Sequence, residues 1–178
     1  MTVVGSGRYR TLAVHPTSRG FGWVVCEGPL KLVEFGVCVP LRGSKRSTCV
    51  RKVEKLIARL APSEFVIEAF DERSGKGAWV RKLSLDLVTV AADRGLSVEA
   101  HPRGAVRAAF EAVGAQTRRE TAEAVARHFP ALAYRLPSPR KAWESEDKRL
   151  AMFHAAAVVL AHFHNGATAL LAERGSAA

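Results

Sequence analysis

Acidic side chains are the scarce class in this sequence. Asp and Glu together number 17 against 27 Lys and Arg over 178 residues, a formal net charge of +10. That balance argues against an acidic, cation-storing surface. It favours a polyanionic partner, nucleic acid before membrane, over a surface that is merely basic. Cysteine is nearly absent too. Cys26, Cys38 and Cys49 are odd in number and lack metal-ligand spacing, so neither a disulfide framework nor a zinc finger is expected. Reduced thiols of a cytoplasmic protein fit them better. Residues 1–10 contain no apolar signal-peptide core. The apolar stretch Leu150–Phe163 is too short to span a bilayer and carries histidines, so no membrane partner is expected. No internal repeat or low-complexity segment is present, which sets aside solenoids and tethers.

What is present is an alternation of strand and helix patterns. Apolar residues make up 48% of the chain, enough for a core, and the length suits one domain. Residues 10–14, Gly20–Cys26 and Leu32–Val39 read as an antiparallel meander, with Gly28-Pro29 turning the chain. Val53, Leu56, Ile57 and Leu60 recur at helical spacing until Pro62. Phe65–Glu68 is a short continuous apolar run, the mark of a buried strand. A basic Gly75-Lys76-Gly77 loop, a helix over Val80–Arg94 and a strand over Leu96–Glu99 follow. Ala105, Val106, Ala109, Phe110 and Val113 mark another helix, and Thr117-Arg118-Arg119-Glu120 forms a capping box for the next, with Pro130 after it. The proline-rich linker Pro137-Ser138-Pro139 leads to a last helix, N-capped by Ser145 and ended by Asn165-Gly166. The order implies an α/β domain with a mixed sheet over residues 10–166, between tails at 1–9 and 167–178.

Sites in such sheets collect at the carboxyl ends of parallel strands. His15 and Glu68 both fall at such ends, and His154 sits on the alanine-rich last helix.

These residues carry a resemblance. The segment Leu12-Ala13-Val14-His15-Pro16-Thr17-Ser18-Arg19-Gly20-Phe21-Gly22-Trp23 resembles the first strand and glycine turn of the RuvC family of Holliday-junction resolvases, within the RNase H-like superfamily. Val66-Ile67-Glu68 resembles its second acidic segment, and the run from Phe153-His154-Ala155-Ala156 to His162 resembles its terminal segment. Gly95–Glu99, Gly114 and Thr117–Val125 match its middle region in order and spacing. The resemblance covers about residues 10–165. It implies an RNase H-like fold with a five-stranded mixed sheet in the order 3-2-1-4-5, a homodimer, divalent metal, and branched DNA as substrate.

The departures define the question. Where the family carries its first and last catalytic aspartates, this chain has His15 and His154. Ala151 stands where an acid or His is usual, and Glu68 alone is retained. Asp147 lies two helical turns before His154 if the helix starts early, and is the candidate fourth member of the site. Mg²⁺, implied by the resemblance, is a hard ion held by carboxylates and water. Imidazole suits Mn²⁺, Co²⁺ or Zn²⁺ better, and two His with one Glu is a recognised ligand set for one transition ion. One reading is therefore an endonuclease with an altered site at His15, Glu68 and His154. A second is an inactive DNA-binding relative, and a third a protein-interaction scaffold on the same fold.

Arg73, Lys76, Arg81, Lys82, Arg118 and Arg119 are candidate phosphate contacts, and Trp79 a candidate for base stacking or for helix-start packing. Arg42, Lys45, Arg46, Arg51, Lys52 and Lys55 form a further basic group. His162 and His164 read as partners of a helix C-terminus, and the Val80–Arg94 helix as a dimer face.

Overall fold

The computed structural model describes residues 9–41 and 43–176. Arg42, and the expected N-terminal tail apart from Tyr9, lie outside the described residues. Strands β1 (Thr11–Thr17), β2 (Gly20–Cys26) and β3 (Leu32–Cys38) form the antiparallel meander. Helix α1 (Lys45–Leu60) leads to β4 (Glu64–Glu68), a 3₁₀ turn (Glu72–Ser74), α2 (Ala78–Asp93) and β5 (Ser97–His101). Four helices close the chain: α3 (Arg103–Glu111), α4 (Arg118–His128), α5 (Pro130–Ala133) and α6 (Leu150–Ser176). The five strands lie in the order β3-β2-β1-β4-β5, with β4 parallel to both β1 and β5. This is the order that the resemblance implies.

Strand alternation divides the core into two layers. Leu12, Val14, Phe65 and Ile67 face the layer closed by α1 and α2, and all four are fully buried. Each such side chain contributes roughly 1.5–3 kcal/mol by leaving water. Ala13 and Val66 face the other layer, built from α3, α4, α5 and α6. His15 and Glu68 continue that second series, so both project toward α6.

The seat of α6 is fixed at Gly22, which pairs with His15 across β1 and β2. A Cβ on Gly22 would stand 2.1 Å from the Ala151 carbonyl carbon and 2.2 Å from the Met152 nitrogen. The helix therefore lies on the strand backbone to backbone, as only glycine allows. His154 follows Ala151 by one turn and lands above His15.

Three elements, α6, α5 and β5, differ from the sequence reading. The last helix starts at Leu150, not after Ser145. Asp147 Oδ1 accepts from the Arg149 backbone N–H at 2.8 Å, so a side-chain turn replaces the first helical turn. The same helix runs through Asn165-Gly166 to Ser176, so the residues assigned to a tail from 167 are helical to that point. The alanine-rich stretch after Gly166 has the helix propensity to offset one glycine, about 1 kcal/mol. Pro130 opens the short α5 at a position where its missing N–H is not needed. β5 runs on to His101, pairing it with Glu68. The capping box on α4 is present as read, Thr117 and Glu120 exchanging both bonds.

Cys26, Cys38 and Cys49 are free thiols. No helix among the described residues is long and apolar enough to cross a membrane. Gly22→Ala is expected to push α6 off β2 and to cost about 3 kcal/mol, the upper range for overpacking. Urea unfolding of the variant measures it.

Candidate functional site

A cleft of about 420 Å³ opens at the carboxyl ends of β1 and β4. At roughly 30 Å³ per water molecule, it holds far more than a lone ion. His15 and Glu68 line its floor, and His154 enters from α6. The His15 and His154 ring centroids are 5.0 Å apart, with planes tilted by 44°. One nitrogen of each ring, His15 Nδ1 and His154 Nε2, is shut away from water with no hydrogen-bond partner. Burial lowers both imidazoles. His15 falls well below its ordinary value near 6.5, helped by the neighbouring His154, Lys76 and Arg118. His154 falls to about 4, chiefly through burial and then the Arg118 cation. Both rings are neutral at pH 7.

Glu68 is not a free carboxylate. Lys76 Nζ stands 2.9 Å from its Oε1, and the two side chains are only 12% and 13% exposed. The glycines flanking Lys76 let the loop fold back, and Arg81 holds it there by donating to the Lys76 carbonyl at 2.7 Å. Asp147 lies on the rim, where both its oxygens accept from the Arg149 guanidinium. That contact holds its carboxyl below the usual range. Glu146 accepts from Arg118 at 3.2 Å through both oxygens, and its carbonyl accepts from Arg19. Each acid in the cleft is thus matched to a cation.

The expected metal centre does not fit this arrangement. Among the described residues, no group of three or more His, Cys, Asp or Glu side chains is placed to hold a metal ion. Mg²⁺ needs oxygen donors, and the one carboxylate on the floor is already occupied by Lys76. A softer ion would find two imidazoles, but its third ligand would first have to leave an ion pair.

Of the basic candidates, Lys76 and Arg118 line the cleft. Arg73 and Lys82 are exposed outside its lining. Arg81 braces the loop. Arg119 is spent on Glu123, at 2.6 Å, and on the Pro137 carbonyl. Trp79 packs against the layer under α1 and α2, so its role is helix-start packing. In the α1 basic group, Arg46 makes a two-bond pair with Asp86 at 2.7 and 2.8 Å. His162 is mid-helix rather than terminal. It meets Glu64 Oε2 at 3.1 Å and His101 Nε2 at 2.9 Å, a polar clasp between α6 and the sheet.

Sequence reasoning missed Arg19, Arg103, Arg107 and Lys148, all of which line the cleft. Arg103 follows the end of β5 by two residues, so the strand-end rule that found His15 and Glu68 reaches it once β5 is given its full length. With Lys76 and Arg118, six cations face three acids, Glu68, Glu146 and Asp147.

The architecture is similar to that of two solved structures. Thermus thermophilus RuvC in complex with a Holliday junction substrate matches with a TM-score of 0.64 at 18% identity, over 90% of this chain and 96% of that one. A second Thermus thermophilus RuvC structure matches with a TM-score of 0.61 at 19% identity, over 86% and 92%. The chain has the RuvC fold. No protein-family model matches the sequence, and no curated protein does.

The buried histidines make stability depend on pH. The unfolded chain binds protons on these rings below about pH 6.5, whereas folded His154 resists to about 4. Stability is therefore expected to fall as pH drops through that window, by about 1.4 kcal/mol per pH unit for each such ring. His154→Gln is expected to remove one proton's share of the slope in urea unfolding between pH 4.5 and 7.5. An unchanged slope contradicts this.

Proposed function

We propose that this protein binds branched DNA in the cleft at the ends of β1 and β4, and that it does so without Mg²⁺-dependent cutting. One observation carries the reading: six cations over a floor with no free carboxylate. Such a surface attracts phosphates and repels dications. The net charge of +10 acts in the same direction at longer range. The similarity to RuvC bound to a Holliday junction supports a four-way junction as the form of DNA.

Phosphate contacts make binding salt-dependent, with a slope of about −0.9 in log K against log salt for each contact. The junction complex is expected to show a steep slope. Arg103→Ala together with Arg107→Ala is expected to make it shallower by about two contacts, measured by gel shift across a salt series. Binding that ignores salt contradicts the reading and favours a protein-interaction scaffold.

A metal-dependent endonuclease is the second reading. It is favoured by His15, Glu68 and His154 sharing one cleft, with Asp147 on its rim. Incubating a labelled four-way junction with Mg²⁺, Mn²⁺, Co²⁺ or Zn²⁺ separates the two. The first reading predicts intact strands throughout. Cutting that is lost in both His15→Ala and His154→Ala favours the second.

Dimerisation through α2 belongs to the same proposal. Leu85 on that helix is 56% exposed, a large apolar side chain more than half open to solvent. Sedimentation is expected to give a dimer, and Leu85→Glu a monomer.

A further inference from the structure

Resting on the junction-binding reading, we infer that the cleft grips a phosphate oxyanion directly, with His15 and His154 as hydrogen-bond donors and Lys76 and Arg118 supplying the charge that a divalent cation would otherwise bring.

The tautomers carry the argument. His15 Nδ1 and His154 Nε2 are closed off and unpaired. A buried N–H without an acceptor is rarer than a buried lone pair without a donor. That cost assigns the orphaned nitrogens as lone pairs. The protons then sit on His15 Nε2 and His154 Nδ1, the remaining nitrogens of two rings that both line the cleft. An N–H directed into a cleft meets an anion. A metal ion needs the lone pair there instead. Ring centroids 5.0 Å apart put the two imidazoles side by side in one cleft.

The charged partners have donors to spare. Lys76 has three N–H bonds and meets one carboxylate oxygen, Glu68 Oε1. Arg118 has five and gives Nη1 alone to Glu146. Arg103 and Arg107 stand on the cleft wall behind them. Glu68 keeps a structural part. It holds Lys76 over the floor at 2.9 Å, so that the ammonium is in position before any ligand arrives.

The probes are a fluorescent four-way DNA junction and inorganic phosphate, with the full chain in excess EDTA. Junction binding is expected to persist in EDTA, with an affinity no lower than in Mg²⁺, which competes for the same phosphates. Phosphate is expected to displace the junction more effectively than chloride at equal ionic strength. Lys76→Met is expected to weaken binding roughly tenfold, the loss of one charge-assisted contact. Imidazole ¹⁵N spectra of the unaltered protein give a readout independent of variant folding. Protons on His15 Nε2 and His154 Nδ1, with both signals moving on phosphate addition, support the inference. Protons on the opposite nitrogens overturn it, as does phosphate that leaves both rings unmoved. A junction bound only when Mg²⁺, Mn²⁺ or Zn²⁺ is present overturns it too, while leaving the junction-binding reading intact. No junction binding under any condition overturns the reading beneath it.

Discussion

The cleft depends on one close approach, the backbone of α6 resting on β2 at Gly22. No side chain separates them, so the helix start sits at a height that only glycine permits. Gly22 is the cross-strand partner of His15, and Ala151 precedes His154 by one turn. The same contact thus sets the depth of α6 and the meeting of the two imidazoles. Further along the helix, the Glu64–His162–His101 clasp fixes its direction across β4 and β5. Between these two points α6 buries an almost unbroken row of small and branched residues, from Ala155 to Val159.

Charge then decides what the pocket holds. A carboxylate floor collects cations, but here two floor positions are neutral rings and the third is paired with Lys76. Around them stand more cations than acids. The supporting contacts serve the same end. Arg81 anchors the Lys76 loop, and the capped start of α4 carries Arg118 to the cleft wall. Burial keeps the two histidines uncharged, so they add hydrogen-bonding capacity without adding repulsion between themselves.

Much of this was legible in the sequence. The two apolar strands that carry His15 and Glu68, the alternation of strand and helix, and the Thr117 capping box each have a local signature, and each appears in the structure, with β1 running past His15 to Thr17. The convergence of His15, Glu68 and His154 followed from strand ends and fold order. What escaped was whatever depends on side chains meeting from distant segments. No periodicity announces that Lys76 folds back onto Glu68 or that Arg119 is spent on the proline linker. Boundaries failed where local chemistry competes with propensity. The side chain of Asp147 delays α6, and the alanines beyond Gly166 prolong it. The short reading of β5 hid both Arg103 and the place of His101.

The most direct test of the central claim, that side-chain cations stand in this cleft where a metal would, is an anomalous difference map from crystals soaked in Mn²⁺ or Zn²⁺. The account predicts no peak between His15, Glu68 and His154, with Lys76 still on Glu68. A peak at ligand distance from both imidazoles and Glu68, about 2.0–2.2 Å, with Lys76 displaced, would contradict it.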